Sequence, residues 1–230
     1  MNGPTVRVAV VTGASRGIGL AIARRLVSDG FAVIAASRSA PPAEWGISHT
    51  PLDVTDAAAV HDFFGGLQRL DLLVNNAGLA GPDEDWDAIM ATNLTGTWAC
   101  CAAAEAKLPD RTGRIVNIAS ILGLRGVSDQ VAYCAAKHGV VGLTRALAMK
   151  LAPRGITVNA ICPGWVDTDM AAQRYREIGI TAAEAAAGMP TGRVVKPFEV
   201  AEMVAFLARA GAGSVTGQAL SIDGGGTARA

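Results

Sequence analysis

Short apolar runs ending in Gly, Asn or Ser alternate along this chain with longer stretches of helical periodicity. Val6–Thr12, Phe31–Ala36, Leu70–Val74, Gly113–Ala119, Ile156–Ile161 and Gln218–Ile222 read as strands, with His49–Leu52 as a short further one. Helical patterns fill Gly17–Ser28, Asp56–Leu67, Asp85–Lys107, Val131–Leu151 and Pro197–Ala208. This alternation predicts an α/β fold, a mostly parallel seven-stranded sheet with helices on both faces. Ligands of such sheets sit at the carboxyl ends of the strands, so the chemistry is expected just after them. No repeat, linker or low-complexity tail interrupts the pattern, and residues 1–230 read as a single domain.

Composition narrows the function classes. Hydrophobic residues make up 50% of the chain, which argues against disorder. The formal net charge is zero, so non-specific attraction to nucleic acid or an anionic membrane has no support. No apolar run approaches a membrane span. Val6–Val11 is too short for a signal peptide, and the expected compartment is the cytoplasm. Cys100, Cys101, Cys134 and Cys162 form no C-x-x-C pair and no metal-ligand spacing with His49, His61 or His138. They read as buried reduced thiols, and no metal site is expected.

The first strand runs into Thr12-Gly13-Ala14-Ser15-Arg16-Gly17-Ile18-Gly19, and a helix follows. Glycine there permits a tight turn and a close backbone approach to a pyrophosphate. The helix N-terminus adds unpaired N–H groups and partial positive charge. An ordinary strand–helix turn is the plain alternative, and placement directly after the first strand argues against it. The second strand ends in Ser37-Arg38, where a carboxylate would hold the ribose hydroxyls of NAD. Arg38 and Arg16 instead offer two guanidinium groups to a 2′-phosphate, so NADP(H) is expected over NAD(H). Asp53, followed by Val54, reads either as an acceptor for the adenine amino group or as a cap for the helix near Asp56.

Tyr133 and Lys137 lie four residues apart on a predicted helix and share a face. Hydride transfer to a carbonyl creates alkoxide character that needs a proton. A phenol has an unperturbed pKa of about 10, and a nearby ammonium favours its phenolate. Tyr133 is thus a candidate general acid/base, and Ser120, at the end of the fifth strand, a candidate donor to the substrate oxygen.

Together these segments resemble the single-domain short-chain dehydrogenase/reductase family over nearly the whole chain. The resemblance rests on Thr12-Gly13-x-x-x-Gly17-x-Gly19, Asn75-Asn76-Ala77-Gly78, Asn93, Ser120, Tyr133-x-x-x-Lys137 and Pro163-Gly164-x-x-x-Thr168, in the family's order. It implies a three-layer, doubly wound Rossmann fold and catalysis by Asn93, Ser120, Tyr133 and Lys137. Asn93 would kink its helix and hold a water in a proton relay through Lys137. For the cofactor it implies contacts from Asn76, Ala77 and Gly78 on the adenosine side and from Tyr133 and Lys137 at the nicotinamide ribose. Pro163 and Gly164 would back the nicotinamide ring, and Val166 and Thr168 would bind its carboxamide.

The chain departs from the family at Arg38–Thr50, which is too short for the usual extra helix, and is compact at Asp53–Asp71 and Gly78–Asn93. Ile121, Leu122, Val127, Trp165 and Met170 are expected to line a mainly apolar substrate pocket, with a lid at about 168–190. Gly192-Arg193-Val194 and Ser214-Val215-Thr216-Gly217-Gln218 resemble 3-oxoacyl and polyketide ketoreductases. The expected reaction is NADPH-dependent reduction of a ketone or 3-oxoacyl carbonyl, an acyl thioester among the candidates. An NAD(P)-dependent alcohol dehydrogenase oxidising a hydroxy acid, sterol or sugar is the alternative, and a catalytically silent NADP(H) sensor is a third reading. The helices Asp85–Lys107 and Val131–Leu151 carry more Ala and Leu than one sheet face needs, and the resemblance implies a homotetramer.

Overall fold

The structure, a computed structural model, describes residues 6–228. The strands are β1 (Val8–Thr12), β2 (Ala32–Ala36), β3 (Ser48–Thr50), β4 (Leu72–Asn75), β5 (Arg114–Ile118), β6 (Thr157–Pro163) and β7 (Ala219–Ile222). They form one sheet in the order β3-β2-β1-β4-β5-β6-β7, and every pairing is parallel. The helices are α1 (Gly17–Ser28), α2 (Ala57–Gly66), α3 (Trp86–Met90), α4 (Gly96–Ala104), α5 (Val131–Leu151), α6 (Asp169–Ile178), α7 (Ala182–Ala187) and α8 (Pro197–Leu207).

Successive strand side chains point to opposite faces, and the two cores follow that period. Ala9, Val11, Val74 and Val116 pack against Ile22 and Leu26 of α1 and Val200 and Val204 of α8. Val10, Leu73, Ile115 and Val158 pack against Phe64 of α2, Cys100, Cys101 and Ala104 of α4 and Leu151 of α5. Helices on both faces bury β5 and β6 along their whole length, so these strands are mostly apolar, with buried Asn117 and Asn159 among the Ile, Val and Ala side chains, rather than alternating. The resulting three layers are the doubly wound fold expected.

Two expectations sharpen. His49–Leu52 becomes the three-residue edge strand β3, one residue earlier. The helix over Asp85–Lys107 is broken into α3, a π-helical turn at Ala91–Thr95 and α4. Asn93 sits inside that π turn, where the regular helical hydrogen-bond ladder is interrupted.

The sheet order reverses between β1 and β4, which opens a crevice at their carboxyl ends. The loops after both strands are stitched together there. The Thr12 hydroxyl accepts the N–H groups of Asn76 at 2.9 Å and Ala77 at 3.0 Å. The Asn76 carboxamide donates to the carbonyls of Thr12 and Gly13, each at 3.0 Å.

Candidate active site

The glycine turn forms one wall of the crevice. Gly13 has φ of +64°, and a Cβ on it would sit 2.8 Å from the Cα of Ala77. Only glycine meets both conditions. Ser15 and Arg16 lead into α1, and Arg16, at its N-cap, supplies no side-chain hydrogen bond to the first turn. Gly17, Ile18 and Gly19 begin the helix, whose first N–H groups remain available to an anion. Arg16 and Arg38 are both exposed, and neither ion-pairs with a described residue.

Around Ser37 the backbone is held tightly. The buried Ser37 hydroxyl donates to the Ser39 carbonyl at 2.8 Å, and His49 Nε2 contacts the Ser37 carbonyl at 2.8 Å. A single 3₁₀ turn, Ala43–Trp45, replaces the extra helix, as the short segment led one to expect. Asp53 does not cap α2; Asp56 does, accepting the Ala59 N–H at 3.0 Å. Asp53 Oδ1 instead accepts both the N–H and the hydroxyl of Thr55. Those bonds hold the Asp53 carboxyl below its usual range, and the nearby Arg38 charge adds to the effect. Val54 is buried against α4 at Gly96.

On the far side of the crevice, Ser120 lies two residues beyond β5 and opens a short turn at Ile121–Gly123. That turn lies directly on α5: a Cβ at Gly123 would come within 2.6 Å of the Lys137 carbonyl oxygen. Ser120 Oγ accepts the Leu122 N–H at 3.1 Å and lies near enough to the Tyr133 phenol to favour its charged form. Lys137 is 4% exposed and donates to the Ile118 carbonyl at 2.9 Å. Its Nζ lies 5.5 Å from the Tyr133 ring centroid. Four sequence-predicted residues thus converge, because Gly78 abuts both Asn93 Oδ1 and Lys137 Nζ.

The electrostatics differ from the expectation that Lys137 draws the phenol down. Burial pushes Tyr133 up to about 12, against the opposing pull of the nearby Ser120 hydroxyl. Burial also pushes Lys137 down to about 8. Desolvation penalises whichever form is charged, so the two groups move in opposite directions. The Cys162 thiol, buried in β6 beside Lys137, is pushed up to about 11 by burial.

Asn93 is buried within the π turn. Its carboxamide is fully engaged by Leu79, and its own carbonyl accepts the Thr97 hydroxyl at 2.8 Å. Asn75 is buried and donates to Asn117 and Cys101.

Pro163 ends β6, and the Gly164 N–H donates to the Ile222 carbonyl at 2.9 Å. Val166 is buried and bridges to Val195. Thr168 caps α6, accepting the Ala171 N–H at 3.3 Å, while its methyl faces Gly17 across the crevice. The segment expected to form a lid, 168–190, folds as α6 and α7. Trp165 packs on Tyr175 with ring centroids 4.9 Å apart, Ile121 is buried, and Met170 is half exposed.

Two features escaped the sequence. Arg174 of α6 ion-pairs with Asp129, just before α5, and with Glu177. These residues, with Asp83, Glu84 and Ile178, line a cleft of about 730 Å³. Asp83 Oδ1 also accepts the Ala132 N–H at 2.9 Å, next to Tyr133. The Arg174–Asp129 and Asp83–Ala132 pairings, more than forty residues apart, leave no local signal.

Comparison with known proteins places this geometry. A family model described as enoyl-(acyl carrier protein) reductase matches residues 13–227. A putative ketoacyl reductase of Streptomyces coelicolor is 43% identical over 95% of this chain and 96% of its own. That alignment runs to 257 positions against 230 residues here, so the relative carries insertions this chain lacks. A 3-oxoacyl-[acyl-carrier-protein] reductase of Vibrio cholerae is 39% identical over 95% of this chain and 96% of its own. Among solved structures, a variant of actinorhodin polyketide ketoreductase with NADPH superposes with a TM-score of 0.88 at 40% identity, covering 98% of this chain and 99% of that one. Sequence and fold agree over almost the full length, and the chain belongs to the short-chain dehydrogenase/reductase family.

Proposed function

We propose that this protein uses NADPH to reduce a ketone or 3-oxoacyl-type carbonyl to the alcohol. The observation that carries the reading is the cluster of buried Ser120 and Lys137 with half-buried Tyr133, together with the open glycine turn. Relatives described as ketoacyl reductases, and the ketoreductase structure with NADPH, support it.

The chain's residues fit the cofactor. The uncapped start of α1 and the close approach at Gly13 suit a pyrophosphate. Arg16 and Arg38 lack ion-pair partners among the described residues and suit a 2′-phosphate. Ser37, Asp53 and Val54 would border the adenosine half, with Asn76, Ala77 and Gly78. Pro163, Gly164, Val166 and Thr168 would border the nicotinamide half. When bound, NADPH supplies hydride to the carbonyl carbon.

The protein's own work is at the carbonyl oxygen. Tyr133 donates the proton, and its raised pKa keeps it protonated at neutral pH. Ser120 hydrogen-bonds the same oxygen and fixes it beside the phenol. The Lys137 ammonium offsets the negative charge left on the phenolate oxygen. Asn93 holds Leu79 and Gly78 against Lys137. Trp165, Tyr175 and Ile121 keep the surroundings apolar, which strengthens these interactions.

NADPH absorbance with a panel of 3-oxoacyl thioesters, 3-oxo esters, cyclic ketones and quinones tests the reading. Oxidation of NADPH by at least one carbonyl class is expected; no oxidation by any would overturn it.

No helix among the described residues is long and apolar enough to cross a membrane, and a cytoplasmic enzyme is the reading we favour. A homotetramer joined partly through α4 and α5 is supported by Trp98 and Met149, which are 55% and 78% exposed on those helices. Light scattering at the mass of one chain would count against it.

A further inference from the structure

We propose that Arg7, Arg114 and Arg209 form a second anion site, at the amino edge of the sheet, that binds the phosphate group of a small ligand. This edge is opposite the catalytic crevice, which opens at the carboxyl ends of the strands. The sheet register brings the first two residues together. Ala9 of β1 pairs with Leu72 of β4, and Leu72 pairs with Arg114 of β5. Ala9 and Leu72 both face α1 and α8, so Arg114 faces the same side. Arg7, two residues before Ala9, projects that way too, and its guanidinium stacks 4.0 Å from the Phe31 ring centroid. The end of α8 lies over both. Arg7 Nη1 donates to the Ala208 carbonyl at 3.2 Å. Arg209 follows and opens the turn Ala210–Ala212, and a Cβ on Gly213 at its end would lie 3.7 Å from Arg114 Nη2.

The site is rich in unused donors. Arg114 is 5% exposed, and its Nε is buried without a hydrogen-bond partner. Its Nη1 donates to the Arg111 carbonyl at 3.3 Å and the Gly113 carbonyl at 2.9 Å, whereas Nη2 bonds to no described residue. Arg7 and Arg209 are exposed, and none of the three ion-pairs with a described residue. Asp71, the carboxylate on the same edge, is taken by Arg69 and by the Val8 N–H. Burial and the Arg7 charge both hold Arg114 below its ordinary range. A buried donor without a partner and two like charges at close quarters each cost free energy that a bound anion recovers.

A purely structural role accounts for part of this. Cations suit the C-terminus of a helix, and the Arg7 bond to Ala208 serves α8 in that way. It leaves the buried Arg114 Nε, Arg114 Nη2 and the Arg209 guanidinium without work. Three guanidinium groups around one turn match a multiply charged, tetrahedral oxyanion better than a single carboxylate, because each fork can engage a separate edge of it.

The test measures Tm by calorimetry in about 20 mM inorganic phosphate against sodium chloride of equal ionic strength, with NADPH saturating so that the glycine turn is filled. Wild type is expected to gain about 2–5 °C in phosphate. Arg209→Ala and Arg7→Gln change exposed side chains and leave the buried Arg114 in place. Each is expected to weaken phosphate binding, read by titration calorimetry, about tenfold. A structural role alone would lower Tm equally in both salts. Glycerol 3-phosphate forms a second arm: a gain with both ligands assigns the phosphate group, and a gain with inorganic phosphate alone assigns the free ion. No gain over chloride in wild type, or the same gain in both variants, overturns the proposal. The variant comparison reads this edge alone, so its failure leaves the ketoreductase reading untouched.

Discussion

Asn93 clamps Leu79 with both ends of its carboxamide, accepting the Leu79 N–H at 2.9 Å and donating to the Leu79 carbonyl at 2.8 Å. The clamp joins the π turn between α3 and α4 to the loop after β4. It also presses Gly78 toward Lys137. Asn93→Ala removes two buried hydrogen bonds and leaves the Leu79 groups unpaired, a loss of about 2 kcal/mol. For a chain of this size that lowers Tm by roughly 4–8 °C, read by calorimetry. Turnover is expected to fall with it, because Lys137 loses its support. A variant with wild-type Tm and turnover would remove Asn93 from the account.

Tyr175 supplies a contrast. Its ring is buried against Trp165, and its hydroxyl is buried without a hydrogen-bond partner. Removing such a group does not cost a bond. Tyr175→Phe is expected to match or slightly exceed wild type in Tm. A loss of more than about 1 kcal/mol would show that the hydroxyl has a partner in the folded protein.

The cofactor preference turns on Arg38. Arg38→Asp replaces a donor for the 2′-phosphate with a repelling charge. NADPH affinity, read by fluorescence titration, is expected to weaken by about 10- to 100-fold, while NADH affinity holds or improves. Unchanged NADPH preference would assign the 2′-phosphate to other residues.

The pH profile follows from two opposite shifts. Reduction needs Tyr133 protonated and Lys137 charged. Tyr133 keeps its proton to about 12, whereas Lys137 loses its own near about 8. With NADPH saturating, kcat/KM for the ketone is expected to be level at about pH 6–7.5 and to fall above about 8. Stability moves the other way in this window. The unfolded chain retains the Lys137 proton up to its ordinary value of 10.5, so it binds more protons and stability rises with pH. Lys137→Met should abolish that rise. A rate that stays level to about pH 9.5 would contradict the assignment.

Much of this was legible in the residues. β1, β5 and β6 announce themselves because central parallel strands are apolar over most of their length. Tyr133 and Lys137 are found by spacing, since one helix carries both. β3 was ambiguous because an edge strand of three residues has little pattern to show. The hydrogen bond from the Ala132 N–H to Asp83, 49 residues away, depends on tertiary folding and has no local signal. The Arg174–Asp129 pair depends on tertiary folding in the same way. Sequence spacing also suggested that Lys137 lowers the Tyr133 pKa. Burial, which spacing does not report, dominates both groups.

The central claim is that the Tyr133 phenol delivers the proton. Tyr133→Phe keeps the ring and deletes only that hydroxyl. Turnover of a reducible carbonyl, followed by NADPH absorbance, is expected to drop by about 10²- to 10⁴-fold. NADPH affinity by fluorescence titration is expected to stay within about twofold, because the glycine turn, Arg16 and Arg38 are untouched. Turnover equal to wild type with NADPH bound normally would contradict the account.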